Sequence, residues 1–594
     1  MNSAASPARQ GIWGLGFSAA AEPLLAQLAA AGVVDGPIAA DQLAAQWPRA
    51  EAFVVVAACG LVVRQIAPLL QGKAQDPAVV VLDPQGQFAI PLLGAHGAGG
   101  EALSQRVAAV LGSQVVATGS SSGRGQLALD SFGRQWGWRT GEGGDWSGLM
   151  QLAARSTEPL RVRQEAGSRR WQLLEAAGAL ALGEPGQSGP ADLVVSHRQG
   201  AGCRWHPPCL WLGIGCERHT SLELLERLVD GELQRHGLAP GAVAGLASID
   251  RKADEPALLE LARRRGWPVR WFGAGALNAV AVPTPSAVVA AEMGTASVAE
   301  AAALLAAGRG AHLLAPKQVL HPKGSERGAA TLAITMAAEQ WAPSQGHLHL
   351  VGSGPGRLDL LTPDARRALA EASVWVGYGL YLDLLEPLRR PDQLRCDGQL
   401  TEERARCSLA LELASQGLNV ALISSGDSGI YAMAGLALEL WLEQPADGRP
   451  SFAVHPGISA LQLAAARAGA PLMHDFCTIS LSDRLTPWAV IERRLEAAAA
   501  GDFVVALYNP KSRGRDWQLG RAREILLTGR PAETPVAVAR QLGRAEEAVS
   551  LYTLATLPVE QVDMLTLVLV GNSSSYARDG WMVTPRGYPG AELS

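Results

Sequence analysis

Short apolar runs alternate with alanine- and leucine-rich stretches along most of the 594-residue chain. Each run is about as long as one strand and shows no polar alternation, which is typical of strands buried on both faces of a sheet. Because such strands alternate with helical stretches, the pattern predicts a multidomain α/β fold with mostly parallel sheets. The clearest runs lie at 52–58, 78–83, 192–197, 348–354, 419–427, 503–510 and 565–573.

Loop-forming composition divides the chain into several units. Segments rich in glycine, proline and serine lie at 140–148 and 183–192, and 337–346 has the composition of a linker before a new domain. We therefore predict a division into several units. A chain of this length is expected to contain about four domains. The predicted division consists of an α/β domain at 1–140, a middle or linker region at 141–206, an α/β domain at 207–336, a linker at 337–346, and two α/β lobes at 347–456 and 457–594.

Composition narrows the class of protein. Apolar residues make up 48% of the chain and charged residues 18%, as in ordinary globular proteins. The net charge of -5 disfavours nucleic acid as a partner. The seven scattered cysteines include no CxxC pair, which indicates reduced thiols in a cytoplasmic protein without a metal site. The apolar segment 271–293 is interrupted by prolines and glycines, so we expect no membrane span there.

A glycine-rich loop follows the strand predicted at 348–354. Its sequence, "VGSGPGRLDLLT" (351–362), lacks the Gly-Lys-Ser/Thr of a phosphate-binding loop. The third small residue of a dinucleotide-binding turn is also missing, because Arg357 stands in that place. These two mismatches disfavour a diphosphate ligand.

Three further turns follow predicted strand ends, at 424–434, 454–469 and 506–515. In a parallel sheet the carboxyl ends of the strands line the ligand crevice, and glycines there let main-chain groups approach a small ligand closely. Turns lined by main chain, with one or two acids, suit a zwitterionic and cationic ligand better than a phosphate.

Four motifs resemble those of the tetrapyrrole methylases, which use S-adenosylmethionine: "VGSGPGRLDLLT", "GDSGIYAMA" (426–434), "HPGISA" (455–460) and "LVLVGNS" (567–573). The likeness covers about 345–594. The segments "LYNPKSRGR" and "VGNSSSY" are similar in particular to members that methylate C17 of precorrin-3B or its cobalt form. The resemblance implies a two-lobed fold with the cofactor between the lobes, ring contraction during methylation, and a homodimer formed through this region.

The resemblance also implies which residues contact the cofactor. The first motif would shape the floor of the cleft, the second would contact the amino-acid and sulfonium parts, and the third would border the cofactor from the second lobe. These residues are Gly352, Gly354, Pro355, Gly356, Gly426, Asp427, Ser428, Ile430, Tyr431, Pro456, Gly457, Ile458, Ser459 and Ala460. Ser428 replaces a proline of many relatives, and we expect little effect because the turn keeps its glycines.

Methyl transfer from a sulfonium requires an in-line approach in a water-poor site rather than a metal. Asp427 is the candidate catalytic acid, because its charge would balance the sulfonium. The alternative is that Asp427 caps the following helix. The substrate would carry many carboxylates, which call for guanidinium and ammonium groups. We predict substrate contacts from Lys511, Arg513, Arg515 and Arg540, with Arg484 and Arg544 in other loops; a solvated charged surface is the alternative for each.

A second resemblance covers about 50–335. The segments 54–100, 210–228, 248–262 and 294–307 are similar to the lactone hydrolases of the corrin pathway, which implies opening of the lactone of cobalt-precorrin-5A with release of acetaldehyde. Lactone opening needs a water, a base and an oxyanion site. Methylation at C11 should separate the two implied reactions, so the fusion does not imply direct channelling. The hydrolase belongs to the route in which cobalt enters early, which favours the cobalt form as the methylase substrate.

The hydrolase-like region contains several candidates for this chemistry. Glu217 and His219 in "GIGCERHT" lie at a predicted strand–helix junction, where free N–H groups would stabilise an oxyanion. Lys252, Asp254 and Glu255 in "DRKADE" precede a predicted helix, and both acids would also suit a helix start electrostatically.

Three other residues of this region carry weaker predictions. Lys317 follows a predicted strand, and Cys216 lacks a recognisable paired base. His96 lies in a turn and is at least as well explained by a structural role.

Three functional hypotheses remain open from the sequence. The first is a bifunctional corrin enzyme. The second is a methylase whose N-terminal part, here called the front half (residues 1–340), is a non-catalytic binding or assembly region. The third is a methylase of the same fold that acts on another tetrapyrrole or on a protein side chain.

Overall fold

The computed structural model describes most of the chain. The described residues are 11–72, 75–95, 98–116, 127–130, 132–156, 158–174, 180–183, 191–340, 346–390, 392–399, 402–446, 449–512 and 515–588. Within them, no helix is long and apolar enough to cross a membrane.

The first unit is a six-stranded sheet with the order β2-β1-β3-β4-β5-β6. Strands β1 to β4 are parallel, and β5 runs antiparallel to β4. The strands are β1 Ile12–Gly16, β2 Gly36–Ile38, β3 Ala52–Val56, β4 Ala78–Leu82, β5 Phe88–Leu93 and β6 Gln114–Val115. The helices are α1 Ala21–Ala30, α2 Leu43–Gln46, α3 Cys59–Ile66 and α4 Gly100–Leu111.

The middle region is a folded unit with a five-stranded sheet of its own, whereas the sequence predicted only a middle or linker segment. Its order is β7-β11-β10-β8-β9. The strands are β7 Arg139–Thr140, β8 Leu160–Gln164, β9 Leu180–Leu182, β10 Leu193–Val195 and β11 Arg204–His206, and the helix α5 is Trp146–Arg155. Strand β7, which we had expected at the end of the first unit, pairs with β11 of this sheet.

The third unit is a five-stranded sheet with the order β14-β13-β12-β16-β15. Strands β12, β13 and β14 are parallel, and β15 and β16 are antiparallel additions. The strands are β12 Leu210–Cys216, β13 Val243–Ile249, β14 Val269–Phe272, β15 His312–Leu320 and β16 Ala330–Met336. The helices are α6 Leu222–Arg235, α7 Pro256–Arg265, α8 Ala274–Asn278, α9 Ala287–Met293 and α10 Ala299–Ala307.

The fourth unit is a parallel sheet with the order β19-β18-β20-β17-β21. The carboxyl ends of its central strands therefore meet at one edge, which is where ligands of parallel sheets bind. The strands are β17 His347–Gly352, β18 Val374–Tyr378, β19 Leu394–Gly398, β20 Asn419–Ser424 and β21 Ser451–His455. The helices are α11 Pro363–Glu371, α12 Gly379–Leu385, α13 Glu403–Ser415 and α14 Ala434–Leu442.

The last unit is a five-stranded mixed sheet with the order β23-β24-β27-β25-β26, accompanied by a small sheet of β22, β29 and β28. The strands are β22 Gly469–Ala470, β23 Phe476–Ser480, β24 Val504–Tyr508, β25 Pro535–Arg540, β26 Ala548–Thr553, β27 Thr566–Val570, β28 Tyr576–Arg578 and β29 Trp581–Val583. The helices are α15 Ala460–Ala468, α16 Trp488–Ala500 and α17 Gln518–Leu527.

All seven apolar runs singled out in the sequence form strands, which confirms the α/β fold class. Their interior positions are buried: the central residues of β3, β4 and β20, for example, are almost fully inaccessible. The last run, β27, is antiparallel to both of its neighbours. An apolar run shows that both faces of a strand are covered, but it does not fix the direction of the strand.

The front units pack directly on the fourth unit. Helix α4 lies against α11, where Arg106 and Glu371 approach to 3.8 Å. The buried residues of the middle sheet and those beneath β17 and β20 belong to one continuous hydrophobic cluster. Arg170 of the middle unit donates to Gln416 at 2.5 Å and to Glu412 at 3.1 Å at the end of α13. The middle unit therefore contacts the face of the fourth unit formed by α13.

Candidate active sites

Three glycine turns interlock at the carboxyl edge of the parallel sheet. The main chains of Gly354 and Gly426 exchange two hydrogen bonds, of 3.1 and 2.8 Å. A Cβ on Gly457 would lie 2.0 Å from the carbonyl oxygen of Gly426, and one on Gly352 would lie 2.6 Å from the nitrogen of Gly457. Because no side chain fits between these turns, this part of the cleft floor is formed by main chain.

Asp427 holds two of these turns together. One carboxylate oxygen accepts the N–H of Gly429 at 2.8 Å, and the other accepts the N–H of Gly457 at 3.1 Å. The alternative role as a helix cap is wrong, because α14 begins only at Ala434 and its cap residue is Met433. Asp427 is half-buried, so its carboxylate lies at the floor of the cleft.

The residues after Asp427 face in different directions. Ser428 is fully buried, and its hydroxyl has no hydrogen-bond partner among the described residues. Ile430 and Tyr431 are exposed, and Tyr431 adopts a left-handed backbone conformation with φ of 53°. The Tyr431 hydroxyl donates to the carbonyl oxygen of Thr478 at 2.9 Å, which links this turn to the last unit.

The third motif joins β21 to α15. Ser459 caps α15 by accepting the N–H of Gln462. The N–H of Leu461 donates to the hydroxyl of Tyr508 at 3.2 Å, and the Tyr508 ring lies 5.2 Å from that of Tyr431. Burial raises the pKa of Tyr508, so its phenol stays neutral. Pro456 is exposed and Ile458 and Ala460 are half-buried, so this motif lies beside the two tyrosines.

Pro355 and Gly356 of the first motif touch a loop of the last unit that the sequence did not single out. A Cβ on Gly356 would lie 2.8 Å from the carbonyl oxygen of Gly543. Glu547 fixes this loop by accepting the N–H of Gly543 at 2.6 Å. The loop carries Arg544, which is half-buried and has no hydrogen-bond or ion-pair partner among the described side chains.

Arg544 lies near Tyr381, a residue of α12, the helix that follows β18. Its positive charge acts on Tyr381, whose pKa is raised chiefly by burial. The rings of Tyr378 and Tyr381 meet edge to face at 5.3 Å. This aromatic pair was not predictable from the sequence, because tyrosines at a strand end are common.

The predicted substrate-binding cations are largely paired within their own unit. Lys511 contacts Glu560 at 3.4 Å, and Arg540 contacts Asp563 at 3.4 Å. Arg515 is buried and donates to the hydroxyl of Ser512, and burial lowers its pKa. Arg513 lies outside the described residues. Arg544, by contrast, lies at the junction of the two lobes without a side-chain partner among the described residues.

In the third unit, the loops after β12 and β13 lie side by side. Arg218 bridges them by donating to Asp254 at 2.5 Å and to the carbonyl oxygen of Arg251 at 2.6 Å. The N–H of His219 donates to Glu255 at 3.0 Å. The structure therefore brings the loops that carry His219, Lys252 and Asp254 together, which the sequence did not indicate.

Glu217 lies on the opposite side of this cluster. Its carboxylate accepts the N–H of Ala329, next to β16, at 3.1 Å and is exposed to solvent. Asp254 is also exposed, and its pKa is lowered by the hydrogen bond from Arg218. These two predicted residues hold surface loops together.

Two further candidates have structural surroundings. Burial raises the pKa of Cys216 to about 11, so its thiol is protonated and unsuited to nucleophilic attack at neutral pH. Lys317 donates to the carbonyl oxygen of Thr284 at 2.7 Å, and its own N–H donates to the buried Glu300. His96 lies outside the described residues.

The fold and its cleft define a two-lobed α/β protein whose cleft floor is formed largely by main-chain turns. Known protein families agree with this class. Residues 347–558 match the family described as Tetrapyrrole (Corrin/Porphyrin) Methylases. Residues 210–335 and 41–122 match the families described as Cobalamin synthesis G C-terminus and Cobalamin synthesis G N-terminal.

Individual relatives are similar to the C-terminal region. A Salmonella typhimurium protein named probable cobalt-factor III C(17)-methyltransferase is 49% identical over 241 residues, which are 41% of this chain and 99% of that protein. A Sinorhizobium protein named precorrin-3B C(17)-methyltransferase is 43% identical over 252 residues, covering 41% of this chain and 98% of that protein. A solved structure described as the methyltransferase CobJ is 40% identical, with a TM-score of 0.39, covering 40% of this chain and all of that one.

The chain therefore belongs to the tetrapyrrole methylase family through its C-terminal region, and it joins this region to cobalamin synthesis G domains. Tetrapyrrole methylases use S-adenosylmethionine, and the resemblance noted in the sequence is confirmed at the level of family.

Proposed function

We propose that residues 347–594 transfer a methyl group from S-adenosylmethionine to C17 of precorrin-3B or its cobalt form, with contraction of the ring. Main-chain turns at Gly352, Gly426 and Gly457, which leave no room for a Cβ, carry this proposal. They offer N–H and C=O groups together with one carboxylate. This donor set fits a zwitterionic ligand that also bears a positive charge.

When bound, S-adenosylmethionine supplies a methyl group attached to a positively charged sulfur. Asp427 contributes a carboxylate beside it, which the N–H groups of Gly429 and Gly457 hold in place at the cleft floor. Tyr431 reaches across to Thr478 and so covers one side of the cleft between the lobes. Such cover excludes water and strengthens the electrostatic interactions within the cleft.

Mass spectrometry tests this function. The full chain is incubated with methyl-labelled S-adenosylmethionine and the trimethylated precursor, in parallel with and without cobalt. We expect the macrocycle to gain one labelled methyl group, more rapidly for the cobalt form. Absence of label from both forms, with a substrate that a known C17-methyltransferase accepts, would exclude this function.

For the front half we propose opening of the lactone of cobalt-precorrin-5A with release of acetaldehyde. The loop cluster after the parallel strands β12 and β13 supports this proposal, because Lys252 is 95% buried there yet has no partner among the described side chains. Burial of most of a lysine side chain that makes no direct hydrogen bond or ion pair is unfavourable unless a function retains it. Trapping of acetaldehyde from the lactone tests this activity.

A front half without catalytic activity is the second candidate. It is favoured by the close packing of the middle unit on α13, through Arg170, which suits an assembly role equally well. Equal equilibrium binding of lactone and opened product, without turnover, would support it.

We also propose that the chain forms a homodimer through the methylase region, which sedimentation of the full chain tests.

A further inference from the structure

The two acids that precede α7 have opposite surroundings. Asp254 is 74% exposed and its carboxylate pairs with Arg218. Glu255 is 1% exposed, although it immediately precedes α7 and follows the exposed Asp254. Burial of a single carboxylate is unfavourable, so the placement of Glu255 needs a specific reason.

Capping of α7 is not that reason. Glu255 occupies the cap position, but its side chain makes no capping hydrogen bond to the helix. It turns back to the loop after β12, where one oxygen, Oε1, accepts the N–H of His219 at 3.0 Å. His219 has a left-handed backbone conformation, with φ of 61°, which this hydrogen bond helps to hold.

The other oxygen of Glu255 is uncommitted. Oε2 is buried and accepts no hydrogen bond from the described residues. The nearest cation is Arg218, whose Nη1 lies 3.9 Å away and donates instead to Asp254. Glu255 therefore has one oxygen fixed by the main chain and one able to take a proton.

Lys252 lies in the same loop, in the short helical turn Asp250–Lys252 that follows β13. It is 5% exposed, and its side chain has no partner among the described residues. The charges of Lys252 and Glu255 both act on Cys216, the last residue of β12, which places both groups around the carboxyl end of that strand. A largely buried lysine and a buried carboxylate thus both lie near the carboxyl end of β12, at the edge of the sheet where ligands of parallel strands bind.

We infer that Glu255 is the general base and Lys252 the oxyanion-binding cation of the front half, acting on a cyclic ester. Oε2 of Glu255 removes a proton from water as the water oxygen bonds to the ester carbonyl carbon. The ammonium of Lys252 stabilises the negative oxygen that forms. The bond from this carbon to the ring oxygen then breaks, and Glu255 returns the proton to the leaving oxygen. The products are one carboxylic acid and one alcohol.

This inference rests on the hydrolase function proposed for the front half, and the experiment separates the two. The full chain and its variants are incubated with cobalt-precorrin-5A, and lactone opening and acetaldehyde release are measured. Methyl transfer by the same preparations reports that the chain is folded. Wild-type protein that transfers methyl groups but never opens the lactone would overturn the hydrolase function and this assignment with it.

Glu255→Gln is the decisive variant. Its amide oxygen still accepts the His219 N–H, while its basicity is lost, so a purely structural role predicts little effect. We expect kcat for lactone opening to fall by about 10²- to 10⁴-fold, as for loss of a general base. Lys252→Gln should lower kcat by a comparable factor. This second variant tests the assignment even if Glu255→Gln fails to fold.

Two comparison variants complete the test. Glu260→Gln makes the same change on α7, where the carboxylate pairs with Arg263 and Arg264 at the surface, and should retain wild-type opening. Asp254→Asn should also open the lactone at close to the wild-type rate. Activity of Glu255→Gln within twofold of wild type would overturn the assignment, as would a large loss in Asp254→Asn alone.

Discussion

The carboxylate of Asp427 accepts the N–H of Gly457 at 3.1 Å and thereby ties the turn after β20 to the turn after β21. Each of these turns belongs to a different motif of the methylase region. Asp427 therefore holds the two turns of the cleft floor together and also places a carboxylate there.

Asp427→Ala should weaken binding of S-adenosylhomocysteine and slow methyl transfer, because two N–H groups lose a charged acceptor worth about 1.5–3 kcal/mol per hydrogen bond. That corresponds to a loss of affinity of about tenfold or more. Calorimetry gives the affinity, and the labelled-methyl assay gives the rate. Lactone opening should remain intact, and an equal loss of both activities would contradict two separate sites.

Gly457→Ala tests the main-chain contact itself. The added Cβ would lie 2.0 Å from the carbonyl oxygen of Gly426, so one of the two turns must move. We expect affinity for S-adenosylhomocysteine to fall by at least about tenfold, since small displacements in a positioned site have large effects. Gly435→Ala on α14 is the matched control, because its Cβ meets nothing within 4 Å. Similar affinity in the two variants would show that the contact does not matter for binding.

Arg544 should bind a substrate carboxylate. Because it is half-buried at the junction of the lobes and unpaired among the described side chains, Arg544→Ala should raise KM for the macrocycle by about tenfold while affecting kcat less. Arg540→Ala is the comparison, since Arg540 is exposed and pairs with Asp563. A larger increase in KM for Arg540→Ala would contradict this assignment and would favour Arg540, the residue predicted from the sequence, as the substrate contact.

A buried histidine group should make stability depend on pH. Burial, reinforced by His347, His455 and Arg367, lowers the pKa of His349 to about 3. Its ring bonds to that of His455 at 2.9 Å, and His455 contacts Asp364 at 2.7 Å.

Between the ordinary histidine pKa, near 6.5, and the lowered value, the unfolded chain binds the proton and the folded chain does not. The free energy of unfolding should therefore fall as pH falls through this window, with a His349 contribution of up to about 1.4 kcal/mol per pH unit. His349→Phe should reduce the slope in denaturant titrations at several pH values. An unchanged slope would show that His349 titrates as in the unfolded chain.

Long buried strands were predictable from the sequence, whereas most of the middle sheet, apart from β10, was not. Strands β7, β9 and β11 have only two or three residues, and β8 reads "LRVRQ", in which arginines alternate with apolar residues. Such short strands gain their stability from packing of tryptophans such as Trp171 and Trp205, which come together only in the folded chain. Local pattern therefore underestimates a sheet of this kind.

The candidate sites likewise combine features that the sequence predicted with features that only the folded structure shows. Motif order located the glycine turns, because their spacing reflects main-chain contacts that only glycine allows. The sequence placed Asp254 and Glu255 on equal terms, and it favoured Arg540 over Arg544. Whether one of two nearby residues is buried depends on the direction in which its side chain points. Tertiary packing sets that direction, so local sequence does not predict it.

The most direct test of the central claim is calorimetric titration of the full chain with S-adenosylmethionine, S-adenosylhomocysteine, NAD and ATP under identical conditions. We predict saturable binding of both sulfur compounds at the methylase cleft and none of the two phosphate compounds there. Tight binding of NAD or ATP, with no uptake of either sulfur compound, would contradict a cleft built from main-chain turns for a positively charged methyl donor.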